Sequence, residues 1–157
     1  MQLCVDLINA VVEDIRDAEI AIHLCSGNSD RSWGAEGGYE PILPFLQRLN
    51  VDHYVMEFAI PAAGHVSALD ELPERCMVGL GCVDCRSEYI DTPDEIAGRV
   101  RSALEYIDAD RILLNPDCGF APGMGFAIPL DEAYQKLRNE AEAAKILRSE
   151  IKASERE

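Results

Sequence analysis

Short apolar runs alternate with helical segments along this chain. Runs of β type occupy residues 20–25, 53–58, 77–83 and 111–115 of the 157, and each is followed by a loop and then a helical pattern. Strands that alternate with helices imply a parallel sheet covered by those helices, so the fold class is α/β. Two architectures satisfy four consecutive β/α units. One is a doubly wound sheet. The other is half of a (β/α)8 TIM barrel, which takes about 250 residues and cannot close with four strands. The chain begins on a helix, as a barrel cut in the middle would. Its length suits a single unit, residues 1–157.

Leu3, Leu7, Ile8, Val11, Val12 and Ile15 recur at helical spacing and predict a helix over about 3–17. Residues 41–49 form a second helix only if Pro44 lies in its first turn. Residues 67–72 are at most a short helix. Thr92-Pro93-Asp94-Glu95 is a capping box with Pro at the first helical position, and it opens a helix to about residue 107. A long helix runs from 130 to about 151.

Charge removes several functions. Lys and Arg number 14 against 29 Asp and Glu, a net charge of −15. Phosphate backbones and anionic lipid surfaces both demand the opposite balance, so neither nucleic acid nor a membrane is a partner. No apolar run approaches the ~20 residues of a spanning helix. The first residues lack the basic and apolar regions of a secretory signal. The expected location is therefore cytoplasmic, and the six cysteines read as thiols in a reducing compartment.

His23 and Cys25 are two apart on one strand, so they share a face at its C-terminal end. Glu57 ends the second strand and Cys118 follows the fourth. Parallel α/β folds build their sites on that rim. Two thiolates, an imidazole and a carboxylate suit zinc. Alone, a His-X-Cys reads as two packed residues and Cys118 as a plain buried thiol; the four together on one rim favour a metal. Glu57 adds weight, because an unpaired buried carboxylate is costly. Cys82-Val83-Asp84-Cys85 has neither the helix N-terminus of a redox pair nor the second pair of a structural zinc site, and reads as packing or chance. Cys4 and Cys76 read as small hydrophobes. His53 reads as a core histidine, although its parity with Glu57 also allows it to face the rim's interior. Met124 reads as loop packing.

Four segments carry a family resemblance: Ile22-His23-Leu24-Cys25-Ser26-Gly27-Asn28, Met56-Glu57, residues 80–87 around Cys82-Val83-Asp84-Cys85-Arg86, and Asn115-Pro116-Asp117-Cys118-Gly119-Phe120. From about residue 3 to 150 the chain resembles the C-terminal half of the catalytic barrel of cobalamin-independent methionine synthase. That family belongs to the superfamily which also holds uroporphyrinogen decarboxylase. Residues 32–39 are similar to the shorter, single-barrel members. The resemblance implies a zinc-dependent thiol S-methyltransferase with His23, Cys25, Glu57 and Cys118 as metal ligands. The implied thiol is homocysteine, which yields methionine. Methyl transfer to another small thiol such as coenzyme M, or a non-catalytic zinc-binding half barrel, are the alternatives.

The resemblance places Asp84 and Arg86 at the catalytic rim. Two-barrel enzymes carry at the position of Arg86 a His that protonates the pterin leaving group. Arginine does not give up a proton near neutral pH. That substitution sets a methyl-corrinoid donor beside a folate one, since a corrinoid leaves without that proton. Arg86 either binds an anionic group or pairs with Asp84 or Glu88. The first four strands of the barrel lie outside these residues. A homodimer, a separate first-half chain or a longer polypeptide would each complete the barrel.

Overall fold

The computed structural model describes residues 1–28, 31–32, 34–121 and 128–154. Met124 and Trp33 lie outside the described residues. The chain runs α1 (Gln2–Val12), β1 (Ala21–Leu24), α2 (Leu43–Leu46), β2 (His53–Glu57), β3 (Met77–Val83), α3 (Pro93–Ala103), β4 (Ile112–Pro116) and α4 (Leu130–Ser154). Short 3-10 turns cover Pro61–Ala63, Val66–Glu71 and Ala109–Arg111. The strands pair parallel in the order β1-β2-β3-β4. A doubly wound sheet reverses its strand order at a switch point. No such reversal occurs here, so the structure is four consecutive units of a partial TIM barrel.

One face of the sheet is covered. Tyr54, Met56, Val78, Leu80 and Cys82 point outward and are fully buried, with Ile96, Ala97, Val100 and Ala103 of α3 and Ala143 and Leu147 of α4 in the same core. The alternate positions line the inner face. His23, Cys25, His53, Glu57, Asn115 and Asp117 make much of it polar. Gly81 also lies there, because a Cβ would stand 3.0 Å from Glu57 Cα and 2.5 Å from Asp117 Oδ1. Only glycine leaves room there for the Asp117 carboxylate against the backbone of β2.

The elements differ from the sequence expectation in three places, one being α3, which ends at Ala103 rather than near residue 107. α2 is a single turn rather than a helix over 41–49. Pro41 and Pro44 both lack the N–H that a longer helix would need. α1 ends at Val12, and most of the apolar stripe that predicts it is exposed, although Ile8 packs against the core. Val5 is buried, but Leu3, Leu7 and Val11 are 68%, 58% and 76% exposed. The Thr92 capping box forms in full, with both Thr92 and Glu95 side chains closing on the backbone.

Glu140 on α4 provides a test of this packing. Burial alone pushes its carboxyl up to about 7, and its Oε2 has no hydrogen-bond partner among the described residues. The folded chain then holds a proton that the unfolded chain has released, so stability falls as pH rises from about 4.5 to about 7. Glu140→Gln is expected to flatten that decline and to raise the thermal midpoint at pH 8. Melting curves at pH 5 and pH 8 check it; a variant that loses stability equally at both values refutes it.

Candidate metal centre

At the C-terminal rim of the sheet, the ends of β1 and β4 bring three donors together. His23 Nε2, Cys25 Sγ and Cys118 Sγ all lie within 4.8 Å of one another, about twice a zinc–ligand bond. His23 and Cys25 come from β1 and the residue after it, where strand alternation puts both side chains on the inner face. Cys118 follows β4, and its Sγ stands 3.7 Å from His23 Nε2. Two soft sulfurs and an imidazole on an open rim are a donor set that zinc fits.

Glu57 stands beside this group and is engaged elsewhere. Its Oε1 is 3.3 Å from Cys118 Sγ, while its Oε2 accepts the Ser26 N–H at 2.8 Å. The same carboxylate forms an ion pair with Arg86, both side chains being almost completely buried. Burial pushes the Glu57 carboxyl up, but Arg86, the Ser26 N–H and Cys118 outweigh it and hold it below the usual carboxylate range.

Arg86 does not pair with Asp84 or Glu88, as one reading of the sequence has it. Its guanidinium donates to the Gly27 carbonyl at 2.8 and 3.2 Å, pairs with Glu57, and approaches Asp117 Oδ2 at 3.7 Å. Asp84 instead accepts the backbone N–H of Arg86 at 2.8 Å and so shapes the turn. The buried Glu57 carboxylate outcompetes half-buried Asp84 and exposed Glu88 as a partner here, because neither member of a buried pair has water as an alternative.

Sequence reasoning missed several residues that position this rim. Tyr39 donates its hydroxyl hydrogen to the Leu24 carbonyl at 2.9 Å and accepts the Glu57 N–H at 2.8 Å, tying β1 to β2. Asp117 Oδ1 accepts the N–H groups of Phe58 and Ala59, each at 3.1 Å. Burial pushes the Asp117 carboxyl up to about 8. Buried Lys136 of α4 donates to the carbonyls of Asp84 and Ser87, and pairs with Glu132 at 3.1 Å. Glu132 in turn meets Arg31 at 2.7 Å. The loop carrying Arg86 is thereby fixed to α4. The sequence signal for Asp117 was its place beside Cys118; a lone Lys within a charged helix gave none.

The two cysteines at 82 and 85 part company. Cys82 is buried in the outer core, and Cys85 packs against Cys118 with Ile128, Ala133 and Phe120. The expectation of packing or chance fits Cys82 and misses the thiol contact of Cys85. His53 lies on the inner face at the far end of β2 from the rim, half-buried, with Nδ1 3.8 Å from Glu19.

A singly wound parallel sheet with a thiol-and-imidazole cluster on its C-terminal rim defines a class: half of a (β/α)8 barrel with a candidate metal centre on its rim. The chain belongs to the family of the cobalamin-independent synthase catalytic domain, whose model matches residues 6–146. It is 28% identical over 148 residues to a methionine synthase of Saccharolobus islandicus, covering 94% of this chain and 40% of that protein. It is also 29% identical over 139 residues to the uncharacterized protein YxjG of Bacillus subtilis, covering 87% and 37%. Among solved structures, a B12-independent methionine synthase from Shewanella sp. W3-18-1, in complex with selenomethionine, superposes with a TM-score of 0.80. Its identity is 24%, and the match covers 95% of this chain and 44% of that one. That likeness supports the fold. The chain spans about 40% of the length of the curated relatives it matches. Among the described residues, no helix is long and apolar enough to cross a membrane.

Proposed function

We propose that this chain is the metal-bearing half of a barrel that transfers a methyl group to the thiol of homocysteine, giving methionine. The observation that carries the reading is the convergence of His23, Cys25 and Cys118 on the rim of a chain that belongs to this family. The ligand set comprises these three, with Glu57 as the fourth donor once it leaves Arg86. Zinc held there would favour the thiolate form of a bound thiol at neutral pH.

The chain's own residues shape the rest. Arg86 is not a general acid, since its guanidinium keeps its protons and is enclosed by Glu57 and the Gly27 carbonyl. It balances the anionic donors and positions Glu57, while Asp84 fixes its backbone. A leaving group that needs no proton from this position, a methyl-corrinoid, is compatible with that arrangement; a folate donor would take its proton from elsewhere. The other β/α units of the barrel supply the contacts to the amino and carboxylate groups of the substrate. The free thiols suit a reducing, cytoplasmic setting.

Complementation tests this. The zinc-loaded chain is combined with the first-half segment of the Saccharolobus islandicus methionine synthase and supplied with homocysteine and either methylcobalamin or a methylated folate. Methionine is expected from the mixture and not from either part alone. Methylation of coenzyme M in preference to homocysteine, or a stable zinc-loaded complex that methylates neither thiol, overturns the reading.

A further inference from the structure

We propose that Cys85 and Cys118 form a reversible disulfide that withdraws Cys118 from the metal centre and releases the metal when the protein meets a hydroperoxide. The register places the pair. Val83 of β3 stands opposite Pro116 of β4, and Asp117 N–H continues the ladder to the Val83 carbonyl at 2.9 Å. Two residues beyond that register pair, on adjacent chain segments, come Cys85 and Cys118. Neighbouring strands lie about 4.8 Å apart. That spacing falls inside the Cα separation of roughly 4.4–6.8 Å that a disulfide tolerates.

The side chains agree with the backbone. The two side chains pack together in the cluster of Ile128, Ala133 and Phe120. Asn28 Nδ2 reaches Cys85 Sγ from the other side at 3.5 Å. Cys85 is nevertheless outside the group of mutually close donors, which holds only His23, Cys25 and Cys118 among the described residues. It is thus a spare thiol against one ligand. Cys76 and Cys82 are buried in the outer core, and Cys4 is exposed on α1. Of the other thiols among the described residues, Cys25 lies within 4.8 Å of Cys118. Cys25 comes from β1, which is separated from β4 by two strands.

The chemistry balances with a hydroperoxide as the named oxidant. Cys118 is half-buried whereas Cys85 is buried, so the oxidant reaches Cys118 first. The Cys118 thiolate attacks the peroxide oxygen, the O–O bond breaks, and a sulfenic acid and hydroxide form. The Cys85 sulfur then attacks the sulfenic sulfur, the S–S bond forms, and hydroxyl leaves as water with the thiol proton. Two electrons pass from the two sulfurs to the peroxide. The metal loses a thiolate ligand, and a dithiol reductant restores it.

The release step rests on the metal reading above; the disulfide does not. The full chain, with and without zinc, is treated with hydrogen peroxide in excess of the two equivalents that carry an unpartnered thiolate to the irreversible sulfinic acid. Peptide mass mapping locates the cross-link, and a chromogenic chelator follows zinc. We expect a Cys85–Cys118 cross-link in both forms, zinc release in step with it, and nearly full recovery of zinc binding after dithiothreitol. Cys85→Ser should load one zinc but recover less than a tenth of it after the same cycle, because Cys118 oxidises further without a partner. A cross-link from Cys118 to Cys25, unchanged reversible release in Cys85→Ser, or failure of that variant to load zinc each overturns the proposal. If the wild-type chain takes up no zinc, the metal reading fails, while mapping of the zinc-free chain still decides the thiol pair.

Discussion

Cys118→Ser is expected to strip zinc from the chain, lowering affinity by on the order of 100-fold or more. A serine hydroxyl at this position is a poor replacement for a thiolate, because it does not ionise near neutral pH and is a harder donor. Cys118 occupies the middle of the centre. It touches His23 and Glu57, lies within 4.8 Å of Cys25, packs in the cluster of Cys85, and Arg86 approaches its sulfur at 3.7 Å. Glu57→Gln should cost less metal than Cys118→Ser, since Glu57 is already committed to Arg86 and the Ser26 N–H. Cys82→Ser should keep the metal, its sulfur being buried on the opposite face of the sheet. Zinc per chain by elemental analysis, with chelator competition, ranks the three variants. Retention of one tightly held zinc by Cys118→Ser, or its loss from Cys82→Ser, would show that the centre lies elsewhere.

Local signals in the sequence carried much of this architecture. β3 runs from Met77 to Val83, where its apolar run predicts it, and the Thr92 box caps α3 as its four residues require. Strand alternation alone puts His23 and Cys25 on one face. What the sequence did not reveal depends on contacts between distant segments. Arg86 chooses Glu57, 29 residues away, over Asp84 two residues away. Cys82 goes to the outer core and Cys85 to the cluster of Ile128 and Ala133, a separation their C-x-x-C spacing does not announce. Periodicity made α1 a helix, yet it says nothing of what the stripe packs against. The largest surprise follows from that: an amphipathic pattern need not be buried within the chain that carries it.

Left without the rest of the barrel, the chain is expected to self-associate. Two kinds of surface bear on this. The inner face carries Ala21, Val55, Met77 and Leu113, but it is interrupted by His23, His53, Glu57 and Asn115, so it is a weak apolar patch. The lateral faces are stronger. On one side β1 is an open edge, and α1 exposes Leu3, Leu7 and Val11. On the other, β4 is an open edge next to an apolar groove of about 580 Å³ lined by Val100, Leu104, Ile112, Leu114, Leu137 and Leu147. Covering a fully exposed Leu or Val side chain is worth about 1.5–3 kcal/mol, so the α1 stripe alone forgoes a substantial part of a typical folding free energy of about 5–15 kcal/mol. Unpaired strand edges add a template for pairing. The net charge of −15 opposes this, but salt screens it beyond about 8 Å at physiological ionic strength. Sedimentation at low micromolar concentration should therefore show dimers or larger species, and binding of a dye for exposed apolar surface. Both signals should fall when a first-half barrel segment is added and a one-to-one complex forms, because that segment pairs both edges at once. A compact, dye-negative monomer that melts cooperatively would mean that the α1 stripe and the β4 groove are satisfied within a single chain.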